Sequence, residues 1–325
     1  MPLDAHSYDD DLPPVAAGAE EHVSTMKTRI EPARVLSYLQ TEVDPSIAKV
    51  EFLAGGEFSQ AFSFERGGEE FVIRVNMRDD GFKKDAYAAA HFASTNVPIP
   101  EIVSMGKLDD KLFTCITRKA PGTTFEHFDA KQMEAVMPRF LETIDAIHAT
   151  PIPPGGFGYL DANGNAPHAS WAEALLATEH DPYFDWEKLF DTTCMEREVY
   201  EYLMDDLRRS APDLPKERVL LHGDLDVNTL TDGKEITAVI DWEGMRYGDP
   251  VSDIAWIQMW RPESPIAELY RQRVEASGKT LERYDGRMRC YTGAIGLGSL
   301  GFYAKSNQPT KYAWLKERLK QMGIL

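Results

Sequence analysis

The sequence predicts an α+β chain: an N-terminal part of antiparallel strands with a helix beside them, then a larger, mainly helical part. Three observations carry this. Between residues 50 and 75, short runs rich in β-branched and aromatic residues are separated by Gly55-Gly56 and Gly67-Gly68, as in a strand meander. Met133, Val136, Met137, Phe140, Leu141, Ile144 and Ile147 recur at three- and four-residue spacing, which is one face of a helix. A third stretch, residues 221–253 (LHGDLDVNTLTDGKEITAVIDWEGMRYGDPVSD), concentrates carboxylates at the ends of two apolar runs.

In chain order, residues 1–28 are acidic, rich in Pro, Ala and Gly, and aperiodic, so a disordered acidic tail is expected. Val35, Leu36 and Leu39 share a helical face, and Pro32 suits its first turn. The meander follows as residues 50–54, 61–64 and 70–75, with residues 55–59 (GGEFS) forming its first turn. Residues 80–93 are Ala-rich and favour a helix. Pro98 and Pro100 end that helix and lead to strands near residues 101–104 and 111–117. Arg118-Lys119-Ala120-Pro121-Gly122 ends the second of these strands. Farther on, residues 171–176 and 186–207 read as amphipathic helix and residues 254–260 as buried helix. Residues 265–325 read as two or three more helices, and His148, near a helix end, is expected to be structural.

Composition narrows the function. With 325 residues and 43% hydrophobic content, the chain can bury cores for two lobes. A net charge of −18 argues against a nucleic-acid binder, which needs a basic stripe, and attracts cations. Cys115, Cys194 and Cys290 have no zinc spacing and do not pair evenly, so a reducing cytoplasm is expected. No run approaches the ~18 apolar residues of a membrane span. The acidic start lacks the basic region of a signal peptide. A monomer is expected.

The chemistry lies in residues 221–253. Residues 218–221 end at His222-Gly223-Asp224, and residues 236–240 end at Asp241. Between them are Asp226, Asn228 and a hairpin-type turn at Thr231-Asp232-Gly233. The short span lets the two runs lie side by side, so Asp224 and Asp241 are expected to emerge close together. Two carboxylates and an amide suit Mg²⁺, which takes one or two carboxylates and completes its shell with substrate phosphates. In phosphoryl transfer one acid orients the attacking hydroxyl, while another acid and an Asn hold the metal. The turn at residues 55–59 supplies glycines that let backbone N–H groups approach phosphates. A hairpin with solvated acidic turns would explain one such carboxylate, but not this constellation.

Together with residues 55–64, 71–76, 80–82, 91–94, 98–100, 236–242 and 260–262, the stretch resembles the aminoglycoside phosphotransferases, and within them the hygromycin B phosphotransferases. The resemblance covers roughly residues 32–262; no motif matches after about residue 265. It implies a bilobal protein-kinase-like fold, ATP as donor with Mg²⁺, and a cationic aminocyclitol antibiotic, hygromycin B foremost, as acceptor. It implies Asp224 as the acid at the acceptor hydroxyl and Asp241 with Asn228 at the metal. Arg74 would grip phosphates with Asp85 as its helix partner, while Gly56 and Ser59 would line the glycine turn. Arg118 and Ala120 would form the hinge beside the adenine edge, which puts the expected lobes at residues 29–119 and 120–325. His222 would pack, and Asp253 would brace the catalytic loop. Asp226, Glu243, Trp260 and Glu263 are candidates for the acceptor pocket, as acids for ammonium groups and a ring face for sugar.

Two features depart from the family pattern. Arg74 and Asp85 stand where Lys and Glu are usual, and the longer base could offset the shorter acid. The family's HGDxxxxN is one residue shorter here, with Thr229 at the usual Asn position. Either the loop shortens before Asn228 and its amide still reaches the metal, or Thr229 is the ligand and Asn228 faces substrate. Other readings are a same-fold kinase of another antibiotic or a small metabolite, and a non-catalytic nucleotide-binding module. Intact Asp224 and Asp241 favour an enzyme.

Overall fold

The computed structural model describes residues 28–55, 58–125 and 128–325; residues 1–27 of the tail expected at 1–28, and Gly56, lie outside them. Five strands form the first sheet: β1 (Glu51–Gly55), β2 (Ser59–Arg66), β3 (Glu69–Asn76), β4 (Ile102–Lys107) and β5 (Phe113–Arg118). Their order is β1-β2-β3-β5-β4, with every neighbouring pair antiparallel. Period-two alternation sets the two faces of β3. Phe71, Ile73 and Val75 are buried in a core with Phe62, Ile116 and Val35 and Leu39 of helix α1 (Pro32–Glu42). Each such side chain contributes about 1.5–3 kcal/mol when fully buried. Arg74 has the opposite parity and meets helix α2 (Asp80–His91), whose Ala88 joins the second core.

That second core gathers α3 (Ala130–His148), α6 (Arg197–Ser210), α7 (Val251–Trp260), α9 (Tyr284–Lys305) and α10 (Pro309–Gln321). A reciprocal capping box between Asp129 and Gln132 starts α3. Helix α9 is apolar nearly all round, as a central helix must be, and packs on α6, α7 and α10. Two small sheets carry the loops of interest. One orders β10 (Ile236–Val239), β9 (Thr229–Thr231) and β6 (Thr123–Thr124); the other orders β7 (Gly158–Tyr159), β11 (Arg246–Gly248) and β8 (Val219–Leu221). Among the described residues, no helix is long and apolar enough to cross a membrane.

Two expectations need correction. The apolar runs at residues 218–221 and 236–240 do not lie side by side: β8 pairs with β11, and β10 pairs with β9 across the Asp232-Gly233 turn. Proximity along the chain favours the tight hairpin of β9 and β10, and beyond it Val239 N of β10 donates to Pro98 O (2.7 Å) rather than to β8. Residues 186–207 are not one helix but α5 (Trp186–Thr192) and α6, broken at residues 193–196. There the Thr193 hydroxyl donates to Leu189 O (2.6 Å), which also accepts from Thr193 N (3.0 Å), and it accepts from Met195 N (3.1 Å), diverting a donor that a continuing helix would use. The region after residue 265 holds three helices: α8 (Ile266–Ala276), α9 and α10.

Candidate active site

Residues 222–228 connect β8 to β9, and the start of α7 clamps their backbone. Asp253 Oδ1 accepts from Gly223 N (2.8 Å), and Oδ2 accepts from His222 N (3.2 Å) and faces His148 Nε2 (3.1 Å). Burial alone would push the Asp253 carboxyl up, but His148, Arg246 and His222 hold it below the ordinary range. Gly223 is required at its position. Its φ is +86°, and an added Cβ would sit 2.8 Å from Gly244 O.

His222 ties this loop to the next one. Its Nε2 donates to Ile240 O (3.0 Å), so Nδ1 is the acceptor for Asp224 N (3.2 Å). Burial lowers its pKa and keeps the ring neutral, with its edge on Trp242 at 4.7 Å. Ile240 N also donates to Asn228 O (2.9 Å). The two carboxylate-bearing loops thus converge through backbone bonds rather than through a shared ladder. Asp224 is 7% exposed. Its Oδ2 accepts from Asn228 Nδ2 (2.9 Å) and its Oδ1 from Trp256 Nε1 (2.9 Å). Thr229 is fully buried in β9 and donates its hydroxyl inward, to Leu225 O (2.6 Å).

Asp241 follows β10 in a left-handed conformation (φ 63°, ψ 69°), uncommon for a residue with a side chain and often found at functional sites. The next residue reaches the upper lobe: Trp242 N donates to Asp85 Oδ1 (2.7 Å). The other Asp85 oxygen pairs with Arg74, whose guanidinium also lies 5.2 Å over the Phe82 ring. Burial pushes the Asp85 carboxyl up, opposed by Arg74 and the Trp242 N–H. Burial opposes the Arg74 charge, but Asp85, Cys115 and Asp241 outweigh it and raise the guanidinium pKa. Arg74, Asp85 and Asp241 therefore share one electrostatic neighbourhood.

The remaining sequence candidates divide. Ser59 begins β2, opposite Asn76. The Arg118 side chain pairs with Glu69 (2.9 Å) and Glu101 (2.8 Å), and its N–H donates to Glu101 O (3.1 Å), so these groups serve the sheet; Ala120 follows, half-buried. Glu243 adjoins Asp241 but turns to α2: it pairs with Arg78 (3.1 Å), and its carbonyl accepts from Lys84 (3.0 Å). Burial, then Asp241 and Asp80, pushes its carboxyl up to about 7. Two acceptor-pocket expectations meet a different geometry. Asp226 is completely buried and braces Arg261 (2.5 Å). Trp260 is 1% exposed and stacks on Trp314 inside the helical core. Glu263 is exposed beyond α7.

A cavity of about 870 Å³ is lined by Arg246, which bonds the His222-Gly223-Asp224 loop at Gly223 O. Its walls include Tyr159, Trp171, Glu173, Glu179, Asp181 and Arg246. Arg246 links the cavity to the loop, donating to Tyr159 OH (3.1 Å) and Gly223 O (3.4 Å), one residue from Asp224. Sequence reasoning missed these residues and Trp256, which belong to no short motif. The available signal was the acid-rich run at residues 179–187 and a Trp three positions after Asp253.

An antiparallel sheet and helix joined by an Arg–Asp pair, set over a helical part with two adjoining carboxylate loops, define a protein-kinase-like phosphotransferase. The chain belongs to the phosphotransferase enzyme family, whose sequence model matches residues 49–288. It is 36% identical over 262 residues to a hygromycin-B 4-O-kinase of Escherichia coli, spanning 78% of this chain and 74% of that enzyme. The crystal structure of aminoglycoside phosphotransferase APH(4)-Ia superposes with a TM-score of 0.79 at 32% identity, covering 90% of this chain and 98% of that one. A thermostable mutant of that enzyme, in ternary complex with AMP-PNP and hygromycin B, gives 0.78 at 32% identity, covering 88% and 97%. The GDP complex of aminoglycoside 2'-phosphotransferase-IIIa shares the fold at 16% identity (TM-score 0.67, covering 90% and 98%).

Proposed function

We propose that this chain transfers the γ-phosphate of ATP to a hydroxyl of a cationic aminocyclitol antibiotic, hygromycin B foremost, and so inactivates it. One observation carries the reading: the Asp224 and Asp241 loops are bonded to each other at Ile240, with the Arg74–Asp85 pair bonded to Trp242 beside them. The similarity to an enzyme described as a hygromycin-B 4-O-kinase supports the choice of acceptor.

In this reading Asp224 orients the acceptor hydroxyl and takes up its proton as oxygen attacks the γ-phosphorus in line and ADP leaves. Arg74, fixed by Asp85, presents its guanidinium to the donor phosphates. Asp241 and Asn228 would hold Mg²⁺. A carboxylate and an amide oxygen suit a hard cation that phosphates and water complete, and the negative field that Asp241 exerts on Arg74, Asp85 and Glu243 fits that role. Held there, Mg²⁺ would supply positive charge to offset the negative charge that builds on the phosphates during transfer. The 870 Å³ cavity is the acceptor site: Glu173, Glu179 and Asp181 favour ammonium groups, and Tyr159 and Trp171 offer ring faces. We place the lobe boundary between residues 119 and 120: the first core runs from Ile30 to Ile116, and the second, which Ala88, Phe92 and Val97 also join, takes in Phe125 and the residues beyond. A cytoplasmic setting fits the ATP requirement and the free cysteines Cys115, Cys194 and Cys290.

The test is ADP release from purified protein with Mg²⁺-ATP and hygromycin B. Antibiotic-dependent release is expected, with kcat lowered about 10²–10⁴-fold by Asp224→Asn. No antibiotic-dependent release across an aminoglycoside panel would overturn the assignment.

A further inference from the structure

Helix α7 holds the catalytic loop at two points on one face. Asp253 grips the backbone of His222 and Gly223, and Trp256, three residues on, reaches the Asp224 carboxylate itself. The indole N–H donates to Oδ1 at 2.9 Å, while the Asn228 amide donates to Oδ2 at 2.9 Å. A carboxylate with a donor on each oxygen has a defined plane. We propose that Trp256 is a positioning residue for phosphoryl transfer: it fixes the rotation of the Asp224 carboxylate against the acceptor hydroxyl. The proposal rests on Asp224 acting at that hydroxyl.

Indole suits this task. It donates one hydrogen bond, accepts none and does not titrate, so it neither competes for the proton nor changes with pH. Trp256 is 1% exposed, so water does not compete for the bond. Its ring is itself held: Trp260 packs edge-on at 5.8 Å, and Trp260 stacks on Trp314 of α10 at 6.1 Å. Trp314 lies beyond residue 288, where the family match ends. The C-terminal helices, which carry no recognisable motif, thereby help to set the geometry of the catalytic carboxylate.

Two variants separate the donor from the packing. Trp256→Phe keeps an aromatic ring and removes the N–H. Benzothienylalanine at position 256, with sulfur in place of the N–H, removes the donor at nearly constant volume. Both are expected to lower kcat about 10–100-fold, with KM for ATP within about two-fold of wild type. The isostere should melt close to the wild-type temperature. If the isostere keeps kcat within about two-fold, or if kcat, KM for ATP and Tm fall together in both variants, the positioning role is overturned.

A readout without turnover accompanies these. The indole ¹H–¹⁵N resonance that Trp256→Phe removes should move in Asp224→Asn, and an unmoved resonance refutes the pairing. Failure of the wild type to phosphorylate any aminocyclitol would instead remove the functional reading beneath the proposal. That result would leave Trp256 without a reaction to position and would overturn the inference as stated.

Discussion

The carboxylate loops and the neighbouring cavity wall are built on different principles. In the loops His222, Asp224, Asp226, Asn228 and Asp253 are all buried, and each has its polar groups engaged by another chain segment. The cavity wall is assembled from β7, the α4 region (α4, Trp171–Leu176), Arg246 and Ser252, and α9, with exposed or half-buried acids paired at the surface. Glu173 faces His168 at 3.5 Å and Glu179 pairs with Arg208 at 2.6 Å. A network of buried mutual bonds changes all at once or not at all. A wall of separately held side chains can change residue by residue. Under the proposed function, the first arrangement suits phosphoryl transfer, and the second suits selection among acceptors.

Four outcomes would sharpen or break that contrast. The largest effect is expected from Asp253→Ala, which strips acceptors from His222 N and Gly223 N and a partner from His148. Loss of about 3–5 kcal/mol in urea unfolding is expected, with activity lost alongside. Next, Arg74→Met leaves Asp85 buried without its cation and removes the proposed phosphate contact. KM for ATP should rise about 10–100-fold, partly recovered in Arg74→Lys, with KM for the acceptor unchanged.

Acid should weaken the loops. His222 is held neutral, below its ordinary pKa of 6.5. The unfolded ring therefore binds a proton more readily, so stability is complete above pH 6.5 and falls as pH drops from there toward the folded-state value. The depressed Asp253 carboxyl adds a further loss only at lower pH, starting at its ordinary 3.8 and continuing through its folded value. Denaturant titrations at neutral and mildly acidic pH read the first slope, and His222→Gln should flatten it. The smallest effect belongs to the wall. Asp181→Asn should raise the acceptor KM about two- to five-fold, less so in high salt, with kcat and KM for ATP unchanged. If Asp181→Asn instead cost as much stability as Asp253→Ala, the division between network and wall would fail.

The sequence by itself determined the strands of the meander, because alternation and glycine turns encode backbone geometry within a few residues. It also marked Asp224, Asn228 and Asp241 as one chemical group, and it led to the family. It placed β8 beside β10, however, because spacing along the chain does not say which edge of a strand is already taken. Only the tertiary structure decided that Ile240 joins the two loops, that Asp226 serves Arg261 across 35 residues, and that Trp260 is core. It alone brought Trp256 to Asp224 across 32 residues and assembled a cavity from four distant segments. The physical reason is range. Dihedral preference and periodicity are local and are written in adjacent residues, whereas burial and pairing partners depend on how whole elements pack.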